Sequence, residues 1–262
     1  MKKLVERPVL SIEPGLPRTG DLPRPRHPLL TLTRRPGGFL LRRYWDIHVH
    51  GRDKVPSHGP AILAANHLGA LDGPILVAAA PRPSFALAKI ELFHGWVGRA
   101  LLWIGQIPVN RRALDVSAIT RAVHLLRNGQ LLAVFPEGYR GTGEVSHARN
   151  GAAYLAMVTG APVVPVAMLG TRESGQNAHG VPRRGAEMHV VFGDPLHVDL
   201  SPWPRRKNAV AVQTERIRAH LAEHVRAAQE LTGFPLPGPP QPREVPPAAN
   251  RDTETPLDLE AR

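Results

Sequence analysis

Short apolar runs alternate with longer amphipathic segments through the middle of the chain. Ile47–His50, Ala61–Ala65, Ser84–Ala88, Leu131–Phe135, Val163–Met168 and His189–Phe192 have the length and content of strands. Several are apolar at successive positions, as in strands covered on both faces. Between them the period changes to that of a helix. Asp115 is placed to cap a helix carrying Val116, Ile119, Val123 and Leu126 on one side, closed by Asn128-Gly129. Residues 148–159 form a second helical pattern, ended by Gly160 and Pro162. Val210, Ile217, Leu221, Val225 and Leu231 line a third. The alternation predicts an α/β sheet with helices on its faces, and such sheets collect their chemistry at the carboxyl ends of strands. The two prolines in Ala161–Met168 predict an edge or bulged strand.

Punctuation divides the chain in three. Residues 1–36 hold seven prolines and no apolar period, and are expected to be an irregular basic arm. Residues 37–232 carry the periodic pattern. Residues 233–262 hold eight prolines and are expected to be a disordered, Pro-rich tail.

Composition narrows the chemistry. With 262 residues, 42% of them apolar, the chain can build a full core. It has no cysteine, which excludes a disulfide scaffold, a thiolate metal site and a Cys nucleophile. No apolar run approaches the ~20 residues of a membrane span, and the N-terminus lacks the apolar core of a secretory signal. The net charge is +11, of which residues 1–54, with twelve Lys/Arg and five Asp/Glu, supply +7. A basic face of this kind suits an anionic bilayer surface or nucleic acid. Aromatics are only 5% and no RNA- or zinc-finger signature occurs, so no nucleic-acid partner is expected.

Four segments carry candidate chemistry. The strand Ala61–Ala65 runs into Asn66-His67, and Asp72 follows five residues on. A histidine at a strand end with a carboxylate in reach makes a base and its orienter, although Asp72 capping a helix near Pro74 explains the same residues. Phe135-Pro136-Glu137-Gly138-Tyr139-Arg140 places a carboxylate and a guanidinium at a tight turn after the next strand. Gly105–Val109 leads into Asn110-Arg111-Arg112, and arginine suits a phosphate monoester. The fourth is the Pro-interrupted run at 161–168. The histidines show no HExxH or comparable ligand spacing, so no metal is expected.

In this order the four segments resemble the glycerolipid acyltransferase family: NHLGALD at 66–72, GQIPVNR at 105–111, FPEGYR at 135–140 and APVVPVAM at 161–168. Ala88-Lys89-Ile90-Glu91-Leu92-Phe93 is similar to a further segment of that family. The likeness covers about residues 45–172. The chain differs from the family pattern at Asn110, at Tyr139 and at Ala148-Arg149-Asn150-Gly151, positions that bear on the acceptor.

The resemblance implies a mixed, largely parallel sheet flanked by helices and an acyltransferase moving a fatty acyl group to the sn-2 hydroxyl of 1-acyl-glycerol-3-phosphate, giving phosphatidic acid. Acyl-CoA or acyl carrier protein would be the co-substrate, with no cofactor. His67 would be the general base and Asp72 its orienter. Glu137, Gly138, Arg140, Arg111, Lys89 and Arg149 would bind substrate. Backbone amides just after His67 are expected to hold the oxyanion. Insoluble substrates imply peripheral attachment to the cytoplasmic side of the plasma membrane, on its anionic surface. Leu92–Ile104, with two tryptophans, is expected either at the interface, along an acyl groove or in the core. Gly37–Trp45 is a second candidate contact. Another lysolipid or glycolipid acceptor, a non-catalytic basic protein on the same core, and a metal-dependent hydrolase using His67 and Asp72 are the competing readings.

Overall fold

The computed structural model describes residues 17–22, 25, 28–111, 114–201 and 205–242. Seven strands form one sheet in the order β1-β7-β6-β2-β5-β3-β4. They are β1 (Asp46–His50), β2 (Ala61–Ala65), β3 (Ser84–Lys89), β4 (Ile107–Val109), β5 (Leu131–Val134), β6 (Val163–Leu169) and β7 (Glu187–Phe192). All neighbours pair parallel except β6 and β7. The helices are α1 (Pro28–Tyr44), α2 (Asp72–Ala79), α3 (Gly95–Trp103), α4 (Val116–Arg127), α5 (Gly151–Thr159) and α6 (Lys207–Thr232). The predicted α/β class, with a largely parallel sheet, is the observed one.

Alternation along β2 shows how the layers form. Ile62 and Ala64 face the cluster containing α4 and α5, while Ala61, Leu63 and Ala65 face the one containing α2. All five are fully buried, which is why the sequence there is apolar without a break. The connection from β2 passes through α2 to β3. The chain leaving β5 crosses through α5 to β6, on the other side of β2. The carboxyl ends of β2 and β5 therefore sit side by side where the crossovers diverge in direction, the usual place for a site in such a sheet.

Several expectations are corrected. β6 is an interior strand, between β7 and β2. Pro165 is tolerated because it lies one residue beyond the β6–β7 ladder, which closes at Val166 and Phe192. Its carbonyl still accepts from the Gly193 amide at 2.8 Å. The boundary at residue 36 also moves: α1 begins at Pro28 and runs through Pro36. Leu30 is buried and Leu41 joins the core beside α2, so packing overrides the helix-breaking residues that hid the period. At the other end, Phe234 and Leu236 pack onto α6 and β7, and the Gly238 carbonyl accepts from Arg172. The start of the tail is thus part of the folded body. The arm before residue 17, the tail from residue 243 and Arg112 lie outside the described residues.

Candidate active site

Asn66 ends β2. Its side-chain Nδ2 donates to the Met168 carbonyl at 3.1 Å and its Oδ1 accepts from the Met168 amide at 2.7 Å. The chain then turns, and His67 emerges at the carboxyl end of this central strand. Its Nδ1 lies 2.6 Å from Asp72 Oδ2. The same oxygen accepts from the amides of Leu68 (2.6 Å) and Gly69 (2.9 Å), and Oδ1 accepts from the Thr171 hydroxyl. Asp72 is fully buried at the first turn of α2. It caps no amide of that helix, so the capping explanation for this residue fails. A carboxylate that accepts from two amides and a hydroxyl can only accept from the ring as well, so the imidazole nitrogen facing it is assigned the proton. Nε2 is left as the basic nitrogen. Gly69 is required here for space, since a Cβ would collide with the Thr171 carbonyl.

The turn after β5 approaches from the neighbouring strand. Glu137, buried, accepts the His67 amide on Oε1 at 3.0 Å. Burial raises the Glu137 pKa from its ordinary value, against the lowering effect of that hydrogen bond and of His147. Phe135 stacks on the His67 ring, centroids 4.3 Å apart. Gly138 takes φ +75°, and a side chain there would strike Arg149.

Three arginines converge around this turn. Arg111 Nη1 donates to the Gly138 carbonyl at 2.7 Å, and Arg149 Nη1 donates to the Arg111 carbonyl at 3.3 Å. Burial, then the neighbouring Arg140 and Arg149, lower the Arg111 pKa. Arg140 donates to Ala178 O at 3.2 Å, and burial lowers its pKa against the raising effect of the Asp72 charge. Arg111, Gly138 and Arg149 line a cavity of about 280 Å³ together with Asn110, Asp115 and apolar residues that include Leu87, Ile119 and Leu155. Phe135 lines this cavity on its way to His67.

The structure thus gathers His67, Asp72, Glu137, Gly138, Arg111, Arg140 and Arg149. Lys89 is exposed and paired with Glu91 at 3.4 Å, and the Glu91 charge in turn acts on Arg111. The expected oxyanion donors are corrected: the Leu68 and Gly69 amides are already held by Asp72. Sequence reasoning missed four residues. Asn66 ties two strands together. Thr171 and the buried Arg172 close the site from the end of β6, Arg172 donating to the carbonyls of Leu68, Gly141, Gln176 and Gly238. His147 bonds the Glu137 carbonyl at 2.9 Å. The available signal was a Thr-Arg pair directly after an apolar strand.

A family model described as Acyltransferase matches residues 46–169. The 1-acyl-sn-glycerol-3-phosphate acyltransferase of Bacillus subtilis is 31% identical over 180 residues, covering 68% of this chain and 87% of that protein. The chain belongs to the glycerolipid acyltransferase family. It is an O-acyltransferase, and the relative of the same description from Borreliella burgdorferi is 31% identical over 129 residues, 48% of this acyltransferase and 52% of that one. The crystal structure of the 1-acyl-sn-glycerophosphate acyltransferase PlsC from Thermotoga maritima has the same fold, with TM-score 0.57 and 21% identity over 80% of this acyltransferase and 84% of that chain.

Proposed function

We propose that this acyltransferase moves a fatty acyl group from a thioester, acyl-CoA or acyl carrier protein, to the sn-2 hydroxyl of 1-acyl-glycerol-3-phosphate. The observation that carries this reading is that Phe135, stacked on the ring of the His67–Asp72 pair, lines a largely apolar cavity that Arg111 and Arg149 also line. A base, an anion site and an acyl-sized groove meet at one turn. His67 Nε2 takes the hydroxyl proton as the oxygen attacks the thioester carbonyl. The C–O bond forms, the tetrahedral intermediate collapses, the C–S bond breaks, and the imidazolium returns its proton to the leaving thiolate. Asp72 holds the ring by Nδ1 throughout. Glu137 fixes the His67 backbone. Arg111 and Arg149, with Arg140 behind them, receive the phosphate.

The same reading places the protein at a lipid surface, on the cytoplasmic side of the plasma membrane. Trp96 and Trp103 of α3 are 75% and 69% exposed, and Leu92, Val97 and Leu102 are exposed beside them. A core position for this segment is thereby overturned, and interfacial tryptophans are its natural use. No described helix is long and apolar enough to cross a membrane.

The acceptor is tested by Arg111→Ala. It should lower kcat/KM for lysophosphatidate by the ~1.5–3 kcal/mol of a charge-assisted hydrogen bond, and have a smaller effect on the matching monoacylglycerol. Equal losses on both acceptors would replace lysophosphatidate with a phosphate-free lysolipid or glycolipid.

A further inference from the structure

A second cluster of arginines stands at the opposite end of α2. Arg34, Arg35 and Arg42 of α1 and Arg52 after β1 line a cavity of about 240 Å³ against Ala78, Ala80 and Pro81. Since α2 starts at Asp72 and ends at Ala79, this cavity is about 12 Å along the helix from the catalytic pair. It is a different place from the arginines at Gly138.

Two of the four are fixed by the protein. Arg34 donates to the carbonyls of Ala80 and Pro81, and Arg52 Nε donates to the Ala79 carbonyl at 2.9 Å. Arg42 reaches only its own helix, at Gly38 O, 3.4 Å away. Among the described residues no carboxylate forms an ion pair with any of the four. Burial, then Arg52, Arg35 and Arg42, all lower the Arg34 pKa. Four guanidiniums around one cavity repel one another, and an anion bound between them removes that cost.

The exposed face of α1 says where the anion comes from. Leu32, Arg35, Phe39 and Arg42 follow one another at spacings of three and four residues, so they form one stripe on α1. Leu32 is 71% exposed and Phe39 is 67% exposed. Cation and apolar side chain alternate along this stripe, whose Arg35 and Arg42 line the cavity, an arrangement that meets a headgroup and the acyl region beneath it together.

We propose that Arg34, Arg35, Arg42 and Arg52 form a second phosphate site, which takes the headgroup phosphate of an anionic phospholipid in the membrane surface. The inference rests on the reading that the protein works at a lipid surface, but not on its reaction or acceptor. The arginine fork, rather than charge alone, does the recognition.

The test is co-sedimentation of the full chain with phosphatidylcholine vesicles containing phosphatidate. R35Q/R42Q removes the two arginines that hold no neighbouring element. It should weaken binding about tenfold or more, with an unchanged circular-dichroism melt. R35K/R42K keeps the charge and loses the fork, and should fall between. R216Q/R226Q removes the same charge from the exposed side of α6 and should alter binding by less than about threefold. Full binding by R35K/R42K, or equal losses in the two glutamine variants, would reduce the cluster to bulk charge and overturn the site. Displacement of the wild type from vesicles by inorganic phosphate, lost in R35Q/R42Q, would assign the site to a soluble phosphate instead. Failure of the wild type to bind any vesicle would overturn the lipid-surface reading itself, together with this inference.

Discussion

The Asn66 side chain stands in for a peptide group opposite Met168, giving and receiving one hydrogen bond each with that residue's backbone. It carries the β2–β6 pairing one step past the end of β2, and so fixes where His67 leaves the sheet. Asn66→Ala leaves the buried Met168 amide and carbonyl unpaired, at a cost on the order of 2 kcal/mol or more. Chemical denaturation should show that loss, and kcat should fall with little change in KM. Unchanged kcat in a destabilised variant would confine Asn66 to stability.

His67→Ala should reduce acyl transfer by ~10²–10⁴-fold, the usual loss for a general base, while the circular-dichroism spectrum stays that of the wild type. Turnover within tenfold of wild type would remove His67 from the reaction. Asp72→Asn should be comparably severe and also less stable, because Asp72 takes three N–H donors and one hydroxyl in a dry environment.

Glu137 gives a pH signature. Its folded pKa is raised by burial, so the folded state holds that proton more tightly than the unfolded chain. The favourable contribution is present below the unfolded carboxyl's pKa and is lost as pH rises through the folded one. Glu137→Gln keeps an acceptor for the His67 amide and has no proton to lose. The variant should therefore gain stability relative to wild type on going from acid to neutral pH, measured by urea midpoints. A difference that does not vary with pH would mean that Glu137 is not held under this burial cost.

The tail divides at residue 242. Removing residues 243–262 should leave stability and turnover unchanged. Removing residues 233–262 also strips Phe234 and Leu236 from the α6 core and takes away the Gly238 carbonyl that holds Arg172. That shorter chain should melt several degrees lower and lose activity, since Arg172 closes the site behind Leu68. Identical melting of the two truncations would show that the packed stretch contributes nothing.

What the sequence shows and what it hides follows from local against distant contacts. β2 and β5 were legible because burial on both faces leaves an unbroken apolar run. α4 was legible because Asp115 caps it through the Ala118 amide, a bond within three residues. His67 and Asp72 were legible because the pair closes within five residues. α1 was obscured by Pro36 and the two glycines after it, as its stability comes from packing on α2. The interior place of β6 depends on where β7 stops, which no local pattern records. Thr171 and Arg172 bind partners that are 31 to 104 residues away, apart from Gln176, and so left only a polar pair after a strand. Leu231 shows the converse: it fits the helical stripe of α6 but is 67% exposed.

The most direct measurement follows free thiol release and product mass together, with the purified full chain, an acyl thioester and parallel acceptors: lysophosphatidate, lysophosphatidylcholine and monoacylglycerol. The expected result is one phosphatidate formed per thiol released, fastest with lysophosphatidate and abolished by His67→Ala. Thiol release without an acylated lipid would make the site a hydrolase of thioesters. Equal rates on all three acceptors would contradict a phosphate-reading site at Arg111 and Arg149.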